Sequence, residues 1–197
     1  NTYTSAKTVQ LPEGNIAAIE GSTSTVCALY ENGSVACWGD NSPHGERGVG
    51  TSTSNTSIAG FTNPMPGNLS AISLSAGDDT FCVILSNGSV ACWGDATAAY
   101  STTSSNVLEP TLIPWPHGSV RAVDISVGWY HACVLLENGS MWCWGQSSQG
   151  QLGDGTTNAG PTFVDIGKVA GPPASLSAAT CSVQPSLPAG LTLTQDR

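Results

Sequence analysis

The residues of this 197-residue chain whose spacing carries the clearest chemical signal are its seven cysteines. Six of them form three pairs with nine residues between the partners, namely Cys27–Cys37, Cys82–Cys92 and Cys133–Cys143. Zinc sites use shorter spacings with a second pair of ligands nearby, so the pattern favours disulfide bonds over a metal site. Cys181 is left over. Disulfide bonds persist in oxidising compartments, which predicts an extracellular protein, secreted or at a cell surface.

Other polar residues give weaker chemical signals. Asp78 and Asp79 could contribute to a calcium site, but adjacent acids at the start of a strand are more typical of a solvated loop. His131 has no nucleophile at a fixed spacing, and we expect it to be buried and hydrogen-bonded to backbone. Asp154 is expected to cap a turn through its side chain. Serine and threonine are too abundant for a triad to be picked out, so the sequence predicts no enzyme, no metal and no cofactor.

The elements that must position the cysteines are β-hairpins. Each pair flanks an Asn-Gly dipeptide between two apolar runs, as Asn32-Gly33 does in the first copy. A two-residue turn would place Cys27 opposite Trp38, so that the two cysteines miss each other. A three-residue loop with Gly33 as a left-handed bulge places Cys27 opposite Cys37, within disulfide range. The second register brings the cysteines together in all three copies and is the one we predict.

The predicted register also assigns the two faces of each hairpin. The pairs on the face opposite the disulfides are Val26–Trp38, Phe81–Trp93 and Ala132–Trp144. A strand that is apolar on both faces is buried on both sides, as in a blade packed between two neighbours. The first cysteines of the three copies are 55 and 51 residues apart. That period is the scale of a four-stranded propeller blade.

The third copy, residues 127–156, is the fullest. Its signature residues are Gly128, His131, Gly139, Trp144, Gly145, Gly150, Gly153 and Gly155. This copy resembles the regulator-of-chromosome-condensation repeat, in the cysteine-bearing form of secreted bacterial and archaeal proteins such as the propeller inhibitor of β-lactamases. The resemblance extends over roughly residues 10–168. It implies a β-propeller, typically of about seven blades.

The other two copies keep parts of the same signature. The first copy retains Trp38-Gly39 and a glycine ladder at positions 45, 48 and 50, although Arg47 stands where the family has leucine. The second copy retains Gly77, Gly88 and Trp93-Gly94, but it has lost the glycine ladder. Its loop runs instead through Tyr100.

These observations predict an all-β chain of about three propeller blades in an incomplete ring. The propeller region would span residues 1–168, with blades at roughly 9–58, 59–109 and 110–168. Three blades do not close a ring. The chain is therefore expected to be a fragment of a longer propeller or, alternatively, to complete a ring as a homo-oligomer; an open array would expose two apolar faces.

The end of the sequence has a different composition. Residues 169–174 form a Gly- and Pro-rich stretch that is typical of a linker. Residues 175–197 resemble the early strands of an immunoglobulin-like surface module, or would fold back on a blade as an extra strand.

The charge balance excludes several kinds of partner. The formal net charge is −9 with five lysines and arginines in total, too few for the basic patch that nucleic-acid binding requires. Adsorption to an anionic membrane is disfavoured for the same reason, and no apolar run reaches the roughly 18–20 residues that span a bilayer. Neutral polar groups must therefore dominate the surface.

The remaining candidates for binding are aromatic residues expected in loops. They are Tyr100, Trp115, Trp129 and Tyr130. Aromatic side chains on a propeller rim anchor protein or sugar ligands. Packing between blades is the alternative for Trp115 and the favoured interpretation for Trp129. The sequence thus predicts a non-catalytic module that binds a protein or a glycan. The alternatives are a structural brick of a surface layer, fibre or adhesin, and an inhibitor of an enzyme such as a β-lactamase.

Overall fold

The computed structural model describes residues 9–41, 43–53, 56–95, 105–114, 120–157 and 160–168. The predictions for the linker at 169–174 and for the tail at 175–197, with Cys181, lie outside these residues. So do those for Tyr100 and Trp115. No described segment forms a helix long and apolar enough to cross a membrane.

The described residues form twelve strands in three four-stranded antiparallel sheets, each built from four consecutive strands. The first sheet contains β1 (Ile16–Gly21), β2 (Thr25–Tyr30), β3 (Val35–Gly39) and β4 (Thr56–Phe61). The second contains β5 (Ala71–Ala76), β6 (Thr80–Leu85), β7 (Val90–Gly94) and β8 (Val107–Leu112), preceded by a 3-10 turn at Pro66–Asn68. The third contains β9 (Ala122–Val127), β10 (His131–Leu136), β11 (Ser140–Gly145) and β12 (Gly160–Lys168). The all-β, blade-like architecture predicted from the sequence is therefore confirmed.

The blade boundaries drawn from the sequence after residues 58 and 109 fall inside β4 and β8. Both outer strands continue to pair beyond those positions, so that Phe61 lies opposite Ala36 and Leu112 opposite Ala91. This pairing carries each sheet three residues further than the sequence pattern suggested.

The hairpin register is the one that the glycine-bulge loop predicts. Cys27 lies opposite Cys37, and the other two pairs are aligned in the same way. Disulfide bonds join all three pairs, with Cα atoms 4.1 Å apart in each. Gly33, Gly88 and Gly139 have φ angles of 82°, 83° and 80°. Glycine reaches this left-handed conformation without the steric cost of a Cβ atom, so it fixes the loop that aligns the cysteines.

The sheets stack through two unlike faces, which we call the disulfide face and the tryptophan face. The disulfide face of the first sheet (Cys27, Leu29, Val35, Cys37) packs against the tryptophan face of the second (Phe81, Val83, Leu85, Ala91, Trp93). The disulfide face of the second sheet (Cys82, Ile84, Val90, Cys92) packs in turn against the tryptophan face of the third (Ala132, Val134, Leu136, Trp144). The central hairpin is consequently apolar and buried on both sides, as predicted.

The two ends of this row of sheets are covered differently. On the first sheet, residues 9–15 cover part of the tryptophan face, where the Tyr30 hydroxyl donates a hydrogen bond of 3.0 Å to the Pro12 carbonyl. On the third sheet, the disulfide face is incompletely covered. Cys133 and Leu135 are half-buried there, whereas the equivalent Cys82 and Ile84 are 0% and 1% exposed. The third sheet thus presents the kind of face against which each earlier sheet packs its neighbour.

Gly77 holds the second and third sheets at close range, and its substitution is a direct test of that contact. A Cβ atom at Gly77 would run into the carbonyl oxygen of Gly128 and lie 2.8 Å from Val127 Cγ1. We expect Gly77→Ala to lower the free energy of unfolding by about 1–3 kcal/mol, because the two sheets must separate to admit the methyl group. Urea unfolding followed by tryptophan fluorescence measures the loss.

Gly60→Ala is the matched control for this substitution. Gly60 lies in β4, and an added Cβ would meet nothing within 4 Å. Its replacement should change stability by no more than about 0.5 kcal/mol. Equal stability of the two variants would show that the second and third sheets do not approach each other at Gly77.

Candidate functional site

The antiparallel topology gathers the loops at two ends of the stack. One end carries the turns at 22–24, 77–79 and 128–130 together with the loops that follow β3, β7 and β11, and we call it the loop end. The other end carries the β-hairpin turns at Asn32-Gly33, Asn87-Gly88 and Asn138-Gly139, and we call it the hairpin end. Trp129, Tyr130, Asp78, Asp79 and His131 all lie at or beside the loop end.

The Trp-Gly dipeptides of the repeat position the turns of the loop end. Gly39, Gly94 and Gly145, which follow Trp38, Trp93 and Trp144, have φ angles of 116°, 109° and 107°. A Cβ atom at these glycines would run into the carbonyl oxygens of Ser24, Asp79 and Tyr130. The next residue then bonds to the same carbonyl, as when the Asp95 N–H donates to Asp79 O at 2.9 Å. The signature therefore fixes where Asp79 and Tyr130 sit.

The glycine ladder shapes the long loops at the same end. Gly150, Gly153 and Gly155 have φ angles between 74° and 78°, and the Gly153 N–H donates to the Gly150 carbonyl at 3.0 Å. Asp154 caps the last turn, because its Oδ1 accepts a 2.9 Å hydrogen bond from the Thr156 N–H. The predicted turn-capping role of Asp154 is thereby confirmed.

Two buried polar residues that the sequence reasoning missed hold these loops to the sheets. Asn41 and Ser147 are both 0% exposed. The Asn41 side chain donates to Thr51 O at 2.8 Å and accepts from the Arg47 N–H at 3.0 Å. Both residues stand three positions after the tryptophan of the Trp-Gly dipeptide. The second copy has Ala96 at that position and has also lost its glycine ladder. This joint loss of the polar residue and the ladder is the sequence signal that could have identified Asn41 and Ser147.

Trp129 and Tyr130 form an aromatic pair on the turn between β9 and β10. Their rings are stacked, with centroids 5.6 Å apart and an interplanar angle of 23°. Trp129 is 64% exposed, so no described sheet packs over its ring. This exposure follows from the position of the turn in the row of sheets. Thr23, which corresponds to Trp129 in the first sheet, contacts Asp78 of the next sheet, whereas Trp129 belongs to the last described sheet.

Acidic residues surround the same end where the first and second sheets meet. Glu46 is 1% exposed, and burial raises its pKa, with a further contribution from the charge of Asp79. Burial also raises the pKa of Asp79, followed by the charge of the adjacent Asp78. His44 Nδ1 lies 3.3 Å from Asp79 Oδ2 and 3.6 Å from Glu46 Oε1. Asp79 is therefore a member of a charged cluster between sheets, not the solvated loop residue that the sequence suggested.

His131 begins β10, and it is half-buried where the prediction has it buried. Its ring packs against Gly128, and its buried Nδ1 has no hydrogen-bond partner among the described residues. The expected hydrogen bond from this nitrogen to backbone is therefore not present. Thr25, at the equivalent position of the first sheet, does reach backbone and donates to Asp40 O at 2.6 Å. The imidazole instead lies across the turn that carries Trp129.

The environment of His131 predicts a pH dependence of stability. Burial lowers the pKa of this imidazole, so the folded chain binds fewer protons than the unfolded chain once the pH falls below about 6.5. The contribution of His131 to the free energy of unfolding should decrease from about pH 8 to about pH 5.5, and His131→Gln should remove this contribution. The raised pKa values of Glu46 and Asp79 act in the opposite direction in both proteins, so the difference between the two proteins is the quantity compared. Urea titrations of both proteins at the two pH values measure it. An identical pH dependence in the variant would contradict the assignment.

Family models match the two later repeats. The model described as Regulator of chromosome condensation (RCC1) repeat matches residues 71–97 and 122–151, and a second model of the same description matches residues 138–180. The first sheet lies outside these matches, but it has the same strand order, register and disulfide as the other two.

Curated relatives share the same kind of sequence. The human E3 ubiquitin-protein ligase HERC2 is 29% identical over 151 residues, which cover 74% of this chain and 3% of that protein. The mitochondrial RCC1 domain-containing protein RUG3 of Arabidopsis thaliana is 30% identical over 146 residues, covering 70% of this chain and 32% of that protein. The chain therefore spans about a third or less of the length of these relatives.

Solved structures show the same fold. Human WBSCR16 superposes with a TM-score of 0.70 at 19% identity, covering 80% of this chain and 39% of that one. Yeast RCC1 (Prp20), solved in complex with Kap60, superposes with a TM-score of 0.65 at 23% identity, covering 78% of this chain and 37% of that one. Residues 71–97 and 122–180 thus match models of the RCC1 repeat, and the three sheets have the fold of four-stranded blades of the β-propeller type.

Proposed function

We propose that this chain is a non-catalytic, protein-binding propeller module of an extracellular protein, and that the loop end is its contact surface. The observation that carries the proposal is the stacked pair of Trp129 and Tyr130, with Trp129 64% exposed on a turn fixed by Gly145. Large, exposed, rigid aromatic side chains supply much of the binding energy at protein interfaces.

The charge of the loop end favours a partner with a basic surface. Asp78, Asp79 and Asp95 lie on the turn and loop of the second sheet at this end. The whole chain has a formal net charge of −9, so its long-range field attracts positively charged proteins. Complementary charge would steer such a partner towards the aromatic pair.

The similar propellers support a protein ligand. Yeast RCC1 (Prp20) is solved bound to Kap60, and another crystal structure of Prp20p is described together with its binding properties to Gsp1p and histones. Those partners belong to Prp20, and their bearing on this chain is that this kind of propeller offers surfaces that bind proteins. The three disulfides support an extracellular location, because such bonds persist in oxidising compartments.

The proposal is tested by comparing the proteins that variants of the oxidised chain retain. The immobilised chain is exposed to the extracellular fraction of its source organism, and retained proteins are identified by mass spectrometry. Trp129→Ala combined with Tyr130→Ala should reduce retention of the specific partner at least about tenfold. Leu112→Ala is the control, because it trims an apolar side chain that is 47% exposed at the hairpin end of β8. Equal retention by all three proteins would contradict the proposal.

A depression at the hairpin end favours a glycan as a second candidate ligand. Its lining includes Asn32, Ser34, Phe61, Asn63, Asn68 and Ser70. Amides and hydroxyls beside an exposed aromatic ring provide the hydrogen bonds and the apolar surface that a sugar uses. Binding in a glycan array that is lost with Phe61→Ala, but kept when Trp129 and Tyr130 are replaced, would favour this ligand over a protein at the loop end.

The half-buried disulfide face of the third sheet supports one further element of the proposal. We infer that another propeller blade packs there, because the same face is covered by a neighbouring sheet in the first two copies. The turn of that blade would lie beside Trp129, as Asp78 lies beside Thr23, and would cover part of its ring. Light scattering separates the possible sources. If the mass is that of one 20.0 kDa chain, the further blade would come from a longer native protein. If the mass is twice that value, the further blade would come from a second copy of the chain in a homo-oligomer that completes the ring.

A further inference from the structure

Four residues from two sheets converge at the loop end. His44 and Glu46 lie in the loop after β3, whereas Asp79 lies in the turn before β6 and Asp95 directly follows β7. One ligand atom each from His44, Glu46 and Asp79 lies within 4.8 Å of the others. His44 Nε2, on the opposite side of the ring, lies 3.9 Å from Asp95 Oδ2. The cluster thus bridges the interface between the first and second sheets.

Two polar atoms in this cluster are buried and have no hydrogen-bond partner in the part of the chain that the structure describes. They are Glu46 Oε2 and His44 Nδ1. The Glu46 side chain is 2% exposed, so it lies out of reach of bulk solvent. A buried carboxylate oxygen without a partner costs free energy, and here the carboxylate of Asp79 adds a like charge beside it. The arrangement is unfavourable for the empty cluster and favourable for a bound cation.

The two distances from the histidine nitrogen fit a single metal ion, and all three ligand atoms lie within 4.8 Å of one another. Nitrogen and oxygen ligands lie about 2.0–2.2 Å from zinc, so two ligands of a tetrahedral ion are about 3.3–3.6 Å apart. The observed separations from His44 Nδ1 are 3.3 Å to Asp79 Oδ2 and 3.6 Å to Glu46 Oε1. We propose that His44, Glu46 and Asp79 form a site for a divalent transition-metal ion of the zinc class, with Asp95 as a positioning residue for His44.

The donor set selects the class of ion. Calcium and magnesium take oxygen ligands, whereas one imidazole nitrogen with two carboxylates suits zinc and its neighbours in the first transition series. A ligating histidine commonly donates its other ring N–H to a carboxylate, which fixes the tautomer that leaves the ligating nitrogen unprotonated. Asp95 Oδ2 lies on that side of the ring at 3.9 Å from Nε2, which is the distance of an ion pair and not of a hydrogen bond.

The ligands are held by parts of the fold that do not depend on the metal. The Glu46 carbonyl accepts a 2.8 Å hydrogen bond from Trp93 Nε1, and the Asp79 carbonyl accepts from the Asp95 N–H at 2.9 Å. Gly45 is fixed by donation to Asn41 O at 3.2 Å. A bound ion would join the glycine-rich loop of the first sheet to the β5–β6 turn of the second, and so staple two blades.

The test is a zinc titration of the oxidised, chelator-treated chain in a Cys181→Ser background, which removes the seventh cysteine as a competing ligand. Calorimetry should show one Zn²⁺ per chain, and the thermal midpoint should rise with zinc. His44→Gln and Asp79→Asn should each weaken the affinity at least about tenfold. His131→Gln is the control and should bind zinc as the parent does, because His131 belongs to no group of metal-binding side chains among the described residues.

Cobalt keeps the proposal testable if a variant does not fold. Co²⁺ added to the oxidised Cys181→Ser chain should give visible ligand-field bands without a thiolate charge-transfer band. One equivalent of Zn²⁺ should abolish these bands. Absence of such bands and of bound zinc would overturn the proposal. So would an affinity that His44→Gln leaves unchanged, since the ion would then bind elsewhere.

Discussion

Trp93→Ala should lower the free energy of unfolding by about 3–5 kcal/mol. Trp93 is 0% exposed and fills the space between the first and second sheets, where its ring stacks on Phe81 with centroids 5.8 Å apart. The indole N–H donates a 2.8 Å hydrogen bond to the Glu46 carbonyl. Truncation leaves a cavity and an unpaired carbonyl, and each is destabilising when buried. Urea unfolding followed by circular dichroism measures the loss.

Trp38→Ala is the matched control for this prediction. Trp38 is the same residue of the first repeat, but it is half-buried on a tryptophan face that no described sheet covers. Its truncation should cost about 1–2 kcal/mol, because less of the ring leaves a packed environment. If the two substitutions were equally destabilising, the burial of Trp93 between two sheets would be contradicted.

Removal of the central disulfide by Cys82→Ala and Cys92→Ala should also be severe, at about 3–5 kcal/mol. Cross-linking two residues separated by 10 positions restricts the unfolded chain, which accounts for about 2–3 kcal/mol. The remainder comes from packing, because both cysteines are 0% exposed in the interface with the third sheet. Stability is measured against the oxidised parent chain by urea unfolding.

The Cys133→Ala and Cys143→Ala pair separates the two contributions. This disulfide closes a loop of the same length, but Cys133 is only half-buried. Its removal should therefore cost mainly the contribution of chain entropy, about 2–3 kcal/mol. A loss equal to that at the central disulfide would show that packing of the sulfur atoms between sheets adds nothing.

The parts of this fold that could be predicted from the sequence are those fixed by local geometry. The spacing of the cysteines about Asn32-Gly33 selects one loop type, and that loop determines which residues oppose one another on both faces. The Trp-Gly dipeptide recurs because the carbonyl of the preceding turn leaves no room for a Cβ atom beside Gly39. Three repeats with one register therefore predict three similar blades.

The parts that could not be predicted depend on contacts between blades. His44 and Asp79 are far apart in the sequence, and they meet because the glycine-rich loop of one sheet lies over the turn of the next. The exposure of Trp129 depends on its sheet being the last of the described row, which the repeat pattern does not encode. The position of His131 in the repeat predicts a backbone hydrogen bond, but the structure packs its ring against Gly128 and leaves Nδ1 without a partner among the described residues.

The three blades stack disulfide face against tryptophan face, with the second blade in the middle. Hydrogen exchange of the oxidised chain tests this arrangement most directly. The amides of β6 and β7, Thr80–Leu85 and Val90–Gly94, should exchange most slowly, because this hairpin is buried on both faces. Those of β10 and β11 should exchange sooner, because the disulfide face of the third sheet is only partly covered. Equal protection of the three hairpins, or least protection in the second, would contradict the stacked arrangement.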